Sequence, residues 1–210
     1  MKKIFALVGM ITMFALKATA QAFPVDTLLL NKAYAELMAH PNDYAKQKAF
    51  FDAFPSNWNE FNMLYQFAPS DYLYSKYDLA MYEVAHKHIG ALKDNMTLIN
   101  DTMYCRKLVH VSVGGVHEAD APNYLQMVLE KAMAKKTDVM ISVISEMRLA
   151  YQMLFWQFYW SSIRRIKEQV EEHALLEKKY KDAYPREVKV MTIAYDYFCG
   201  GVNIGDAYLK

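Results

Sequence analysis

From Thr137 to Tyr184 the chain runs without a single glycine or proline. A stretch of that length lacks the two strongest helix breakers, so it reads as consecutive helices. The whole chain shares this bias, with only 7 Gly and 6 Pro among 210 residues and long segments rich in Ala, Leu, Met, Glu and Lys. Strands need more turn residues than this, and helices need fewer. The expected fold is all-α: one helical bundle of about seven or eight helices around a long central helix.

Start and stop signals recur at helix-sized intervals. Asp26 caps a helix to about Ala39, and His40-Pro41-Asn42 ends it and caps the next, from Asp43 to about Phe54. Asn57 and Glu60 have capping-box spacing for a third, ending near Ala68-Pro69. Ser70 caps a fourth, with Leu73, Tyr77, Ala80, Met81, Val84, His88 and Leu92 spaced to share one face. Asn95 or Thr97 starts a fifth, with Leu98, Cys105 and Val109 on its stripe.

Two readings compete over Val109–Val116. The alternation of Val109, Val111 and Val113 with Gly114-Gly115 suits a short hairpin, whereas Gly114 as a left-handed terminator suits a helix end. The helix is preferred, because a lone hairpin has no sheet to join. Asp120 then caps a helix that accepts Pro122 in its first turn and runs to about Lys136. Val139 to Trp160 is apolar on every side, which marks a buried central helix or an interface. Beyond Ser161-Ser162 a thin stripe of Ile163, Ile166, Val170 and Tyr180 lies among charges, with Lys167–Glu171 and Glu177–Lys181 four apart. A last helix spans Glu187 to Cys199 and stops at Gly200-Gly201.

Residues 1–20 read as a secretory leader of bacterial type. Lys2 and Lys3 precede an apolar run from Ile4 to Leu16, and Ala18-Thr19-Ala20 offers an A-x-A cleavage site, leaving a helical domain over 21–210. The run is too short to span a bilayer stably. Export to the periplasm or the extracellular space follows. Removing Lys2, Lys3 and Lys17 from 24 basic residues leaves 21 against 23 acidic ones, a formal net charge of −2. Without a basic stripe, nucleic acid is not an expected partner.

Chemistry-bearing patterns are sparse. The chain lacks G-x-S-x-G, S-x-x-K, H-E-x-x-H and C-x-x-C, and neither glycine pair resembles a phosphate-cradling loop, so no cofactor is expected. Glu83 and His86 form one Glu-x-x-His pair, but a di-metal bundle needs two, and no metal is expected. His86 and His88 point to different helix faces. His173, four residues before Glu177, sits among charges and reads as solvated. His117, Glu118 and Asp120 form a polar cluster that suits a turn and N-cap, or a cation or water site. Cys105 and Cys199 are either a disulfide closing a long loop, worth ~4 kcal/mol on the chain-entropy model, or two buried free thiols.

What remains is a surplus of rings: 16 Tyr, 11 Phe and 3 Trp, with 14 Met beside them. These are core fillers and also the residues enriched at interface cores, which makes Trp156, Tyr159 and Trp160 the candidate interface. The sequence therefore reads as an exported, non-enzymatic helical protein that works by binding a protein partner or another copy of itself. The alternative is a periplasmic glycan-binding or glycan-cleaving protein with an aromatic cleft and a catalytic carboxylate, for which Glu60, Glu118 and Glu146 are the first candidates.

Overall fold

The computed structural model describes residues 25–65, 79–116, 120–161 and 166–200. Among them every regular element is a helix: α1 (Thr27–Ala39), α2 (Tyr44–Ala53), α3 (Trp58–Tyr65), α4 (Leu79–Asp94), α5 (Asp101–Ser112), α6 (Asp120–Ser145), α7 (Leu149–Trp160), α8 (Ile166–Tyr180) and α9 (Pro185–Tyr195), the last continued by a π turn over Asp196–Gly200. Residues 1–20, expected to be a leader, Ser70, Leu73, Tyr77, Ile163 and the residues after Gly200 lie outside the described residues.

Local chemistry sets most helix starts. Asp26 accepts from the Leu29 amide at 2.9 Å, and Asp43, rather than Asn42, caps α2 by accepting from Ala45 and Lys46. Asn57 accepts from the Glu60 amide at 3.0 Å while Glu60 reaches back to the Ser56 amide at 2.7 Å, a reciprocal cap. Pro185 occupies the first turn of α9, where its missing N–H costs nothing.

The long central helix is α6, which packs on α4, α5 and α7. It is kinked at Lys136 (φ −134°, ψ 34°), the residue where the sequence suggests one helix ending and another beginning. The expected continuous helix from Val139 to Trp160 does not form: the chain turns at Glu146–Arg148 and restarts as α7. A buried amide stabilises that break, because Gln152 Nε2 donates to the Met147 carbonyl at 2.9 Å.

The same device recurs at three other helix ends or turns of this turn-poor chain. Gln47 donates to the Pro41 carbonyl at 2.7 Å, Gln126 to Phe158 at 2.8 Å, and Gln169 to Trp160 at 3.1 Å. With Gln152, these are four buried glutamines, each satisfying a carbonyl that a helix end or turn has released.

Gln47 also explains a shifted boundary. Its Oε1 accepts from the Leu98 amide at 2.8 Å and its Nε2 reaches Thr97 Oγ1, so this segment is tied as a loop to α2. The helix consequently starts after Asn100, which caps it, and not at Asn95 or Thr97; Leu98 is exposed, while Cys105 and Val109 are buried as expected.

The hairpin reading of Val109–Val116 is likewise corrected. α5 continues to Ser112, and Gly114 takes the left-handed conformation at φ +79°. At Gly115 an added Cβ would lie 2.5 Å from the Phe158 ring, so the backbone there is pressed directly on α7. The α8 stripe is corrected too: Val170 faces solvent, and the buried face is Gln169, His173, Leu176 and Tyr180. A stripe judged on apolar residues alone misses a face that buries an amide and an imidazole.

Candidate functional site

The α6 residues Glu130, Met133, Ala134 and Thr137 fall at helical spacing on one side, and the α8 residues Glu168, Glu171, Glu172, Leu175, Leu176 and Lys179 do the same. Because α8 rests chiefly on α9, these two faces stand apart and enclose an open groove of about 510 Å³. Buried Met133 and Leu176 form its floor, whereas Leu175 is left 68% exposed at its edge. An apolar floor with that much exposed leucine favours an apolar group that displaces water.

The rim is acidic. Glu130, Glu168, Glu171, Glu172 and Lys179 line it, and Lys179 is held at 2.8 Å by Asp138 just past the Lys136 kink. That ion pair lowers the Asp138 carboxyl, first through the Lys179 hydrogen bond and then through the Tyr180 hydroxyl, and raises Lys179 correspondingly. Lys167 approaches Glu171 only to 3.9 Å across an exposed pair, a weak offset. Glu172 is anchored from below, accepting from the buried Tyr159 hydroxyl at 2.5 Å.

The residues singled out in the sequence do not converge here. Trp156, Tyr159 and Trp160 are 2%, 1% and 1% exposed, enclosed by their own chain, so these rings present no surface to a partner. Tyr159 bears on the groove only by holding Glu172. His117 and Glu118 lie outside the described residues, and Asp120 accepts from the Tyr82 hydroxyl at 2.9 Å at the start of α6. Glu60 is a capping carboxylate, and Glu146 pairs with Arg106 at 2.5 Å. Cys105 and Cys199 are buried free thiols without a bridge; burial pushes the Cys105 thiol up to about 11, and Cys199 donates to Gln169 Oε1 at 3.1 Å.

His173 is buried rather than solvated, stacked on Tyr195 with ring centres 4.1 Å apart. Glu83 and His86 are exposed on α4, and among the described residues no three His, Cys, Asp or Glu side chains gather as a metal site. Among the described residues no aromatic side chain lines the groove, and no helix is long and apolar enough to cross a membrane. The groove itself was missed because its α8 glutamates look like an ordinary solvated face. Spacing places Glu168, Glu171, Leu175 and Lys179 together, but nothing in the sequence says that α6 stands opposite.

Comparison with known proteins finds no matching family model, no matching curated protein and no matching solved structure.

Proposed function

We propose that this is an exported, non-enzymatic helical protein that acts by binding a protein partner in the groove between α6 and α8. The observation that carries the reading is the groove's construction, an apolar floor with a charged rim and an exposed Leu175 beside it. The glycan reading gains nothing from this lining, which lacks the rings that sugars stack on.

The test compares proteins retained by the wild-type chain and by Leu175→Arg under matched conditions, with thermal melts showing that the variant is folded. A partner retained by the wild type and lost from the variant supports the groove. Partners retained equally by both would remove the groove from the mechanism, and turnover of glycan fragments would end the non-enzymatic reading. Export is checked separately, by N-terminal sequencing of the secreted chain, which should begin at Gln21.

A further inference from the structure

We infer that α8 is a detachable strap: it lifts off α9 as a unit while the rest of the bundle stays folded, and acid promotes the release through His173. The reason lies in how little apolar surface holds it. Of the described α8 side chains only Gln169, His173, Leu176 and Tyr180 are buried, so the seam contains one aliphatic residue, whereas α7 buries five aromatic rings. Leu176 itself has open space on two sides, because it lines both the groove against α6 and a small cleft shared with Trp156, Tyr184 and Met191. A segment with few buried apolar contacts lies at the low-stability end of a fold and opens without global unfolding.

Polar fastenings hold α8 instead. Gln169 donates to the Trp160 carbonyl and accepts from the Cys199 thiol, His173 Nε2 meets Thr192 Oγ1, Glu172 accepts from Tyr159, and Tyr180 and Lys179 both reach Asp138. Water replaces each of these bonds when the seam parts, so they fix the docked position more than they stabilise it. His173 makes the seam sensitive to acid. Its ring lies against Tyr195 and Trp160, both uncharged, and burial there favours the neutral imidazole. The charged groups that bear on it, Glu177 on α8 and Asp196 on the π turn, temper that penalty without removing it. Once α8 lifts, His173 meets water and protonates as an ordinary histidine, so the open state takes up a proton that the closed state resists and opening grows as pH falls. Asp138, the other titrating fastening, stays ionised in both states above about pH 5.5.

The experiment follows hydrogen exchange of the full chain by mass spectrometry, peptide by peptide, together with trapping of Cys199 and Cys105 by a disulfide reagent that reacts in mild acid. Each rate is divided by that of the urea-unfolded chain at the same pH. The expected result is that the α8 amides and Cys199 open together, about tenfold or more as often as the α7 amides and the buried Cys105. Opening of α8 should rise as pH falls from about 7.5 to about 5.5 in the wild type. The rise should vanish in His173→Phe, which keeps a ring against Tyr195 but cannot titrate, and steepen in Glu177→Gln, which removes an exposed carboxylate that eases protonation of the docked imidazole.

Exchange of α8 and α7 at one common rate would overturn the inference, since the two helices would then unfold only together. So would trapping of Cys199 while the α8 amides stay protected, because the π turn would be opening on its own. An equal acid response in His173→Phe would remove His173 as the source of the acid sensitivity. If that variant fails to fold, the wild-type rates still decide whether α8 is a strap, and Glu177→Gln decides the acid response: a flattened rise would overturn it. None of these readouts depends on what the α6–α8 groove binds.

Discussion

Two histidines in this molecule are each sealed among aromatic rings, and the two boxes are built differently. His88 on α4 sits beside Tyr34, Phe50 and Tyr65 from α1, α2 and α3, with centroid distances of 4.8, 6.2 and 6.1 Å, and its Nδ1 shares a hydrogen bond of 3.1 Å with the Tyr65 hydroxyl. His173 on α8 stacks on Tyr195 of α9 and meets Trp160 of α7 edge-on at 6.0 Å, with Nε2 3.1 Å from Thr192 Oγ1. Both imidazoles titrate below the ordinary histidine range, chiefly because burial penalises the cation. Charge separates them. His86 and Lys87 push His88 further the same way, down to about 4, whereas Glu177 and Asp196 oppose the shift at His173.

The largest effect expected is on packing, where the second box depends on one ring. Trp160 touches Trp156, Tyr159, His173 and Tyr195, so Trp160→Ala should cost about 3–5 kcal/mol in urea unfolding, from lost burial plus the cavity left behind. A loss under about 1 kcal/mol would mean that the box is not the structural centre described here.

Acid should come next, and it should act on the first box more strongly. The unfolded chain protonates His88 near 6.5 while the fold holds it neutral to about 4, so the unfolded state binds more protons in that window. Stability is therefore complete above pH 6.5 and falls by about 3 kcal/mol as pH drops toward 4. His88→Gln should remove about one proton from the pH dependence measured by denaturant titration, and an unchanged slope would refute this account of the box. Tyr65→Phe is smaller, about 1–2 kcal/mol at neutral pH, because it deprives a buried imidazole nitrogen of its hydrogen-bonding partner.

The contrast between boxes also marks what a sequence can reveal. His88 was legible: it shares a helical face with Met81 and Leu92, and all three are buried. His173 was not, because Glu171, Glu172, Glu177 and Lys178 around it read as a solvated helix, and its burial depends on α9 returning against α8. The caps and the scarcity of turn residues gave the helical class and most boundaries from local chemistry alone. The delayed start of α5 escaped because the buried amide of Gln47 reaches across the fold to Leu98, and the break at Glu146–Arg148 escaped because the buried Gln152 side chain bonds the Met147 carbonyl and offsets local helix propensity. The groove escaped for a related reason, since facing walls are a tertiary fact.

The smallest effect is the sharpest test of the comparison, because it alters charge at the second box without touching its rings. Glu177 lies one helical turn beyond His173 and stabilises the imidazolium, holding the His173 pKa above where burial alone would place it. Between about pH 5 and 6.5, where an ordinary glutamate is ionised and an unfolded histidine begins to protonate, Glu177→Gln should leave the buried imidazole harder to charge. The unfolded state would then exceed the folded one in bound protons by a wider margin, so the variant should lose more stability on acidification than wild type, though less than His88 accounts for. If Glu177→Gln instead flattens the acid response, the two boxes do not differ by their neighbouring carboxylates, and the extra tolerance of His173 would trace to its slight exposure, 9% against 1% for His88.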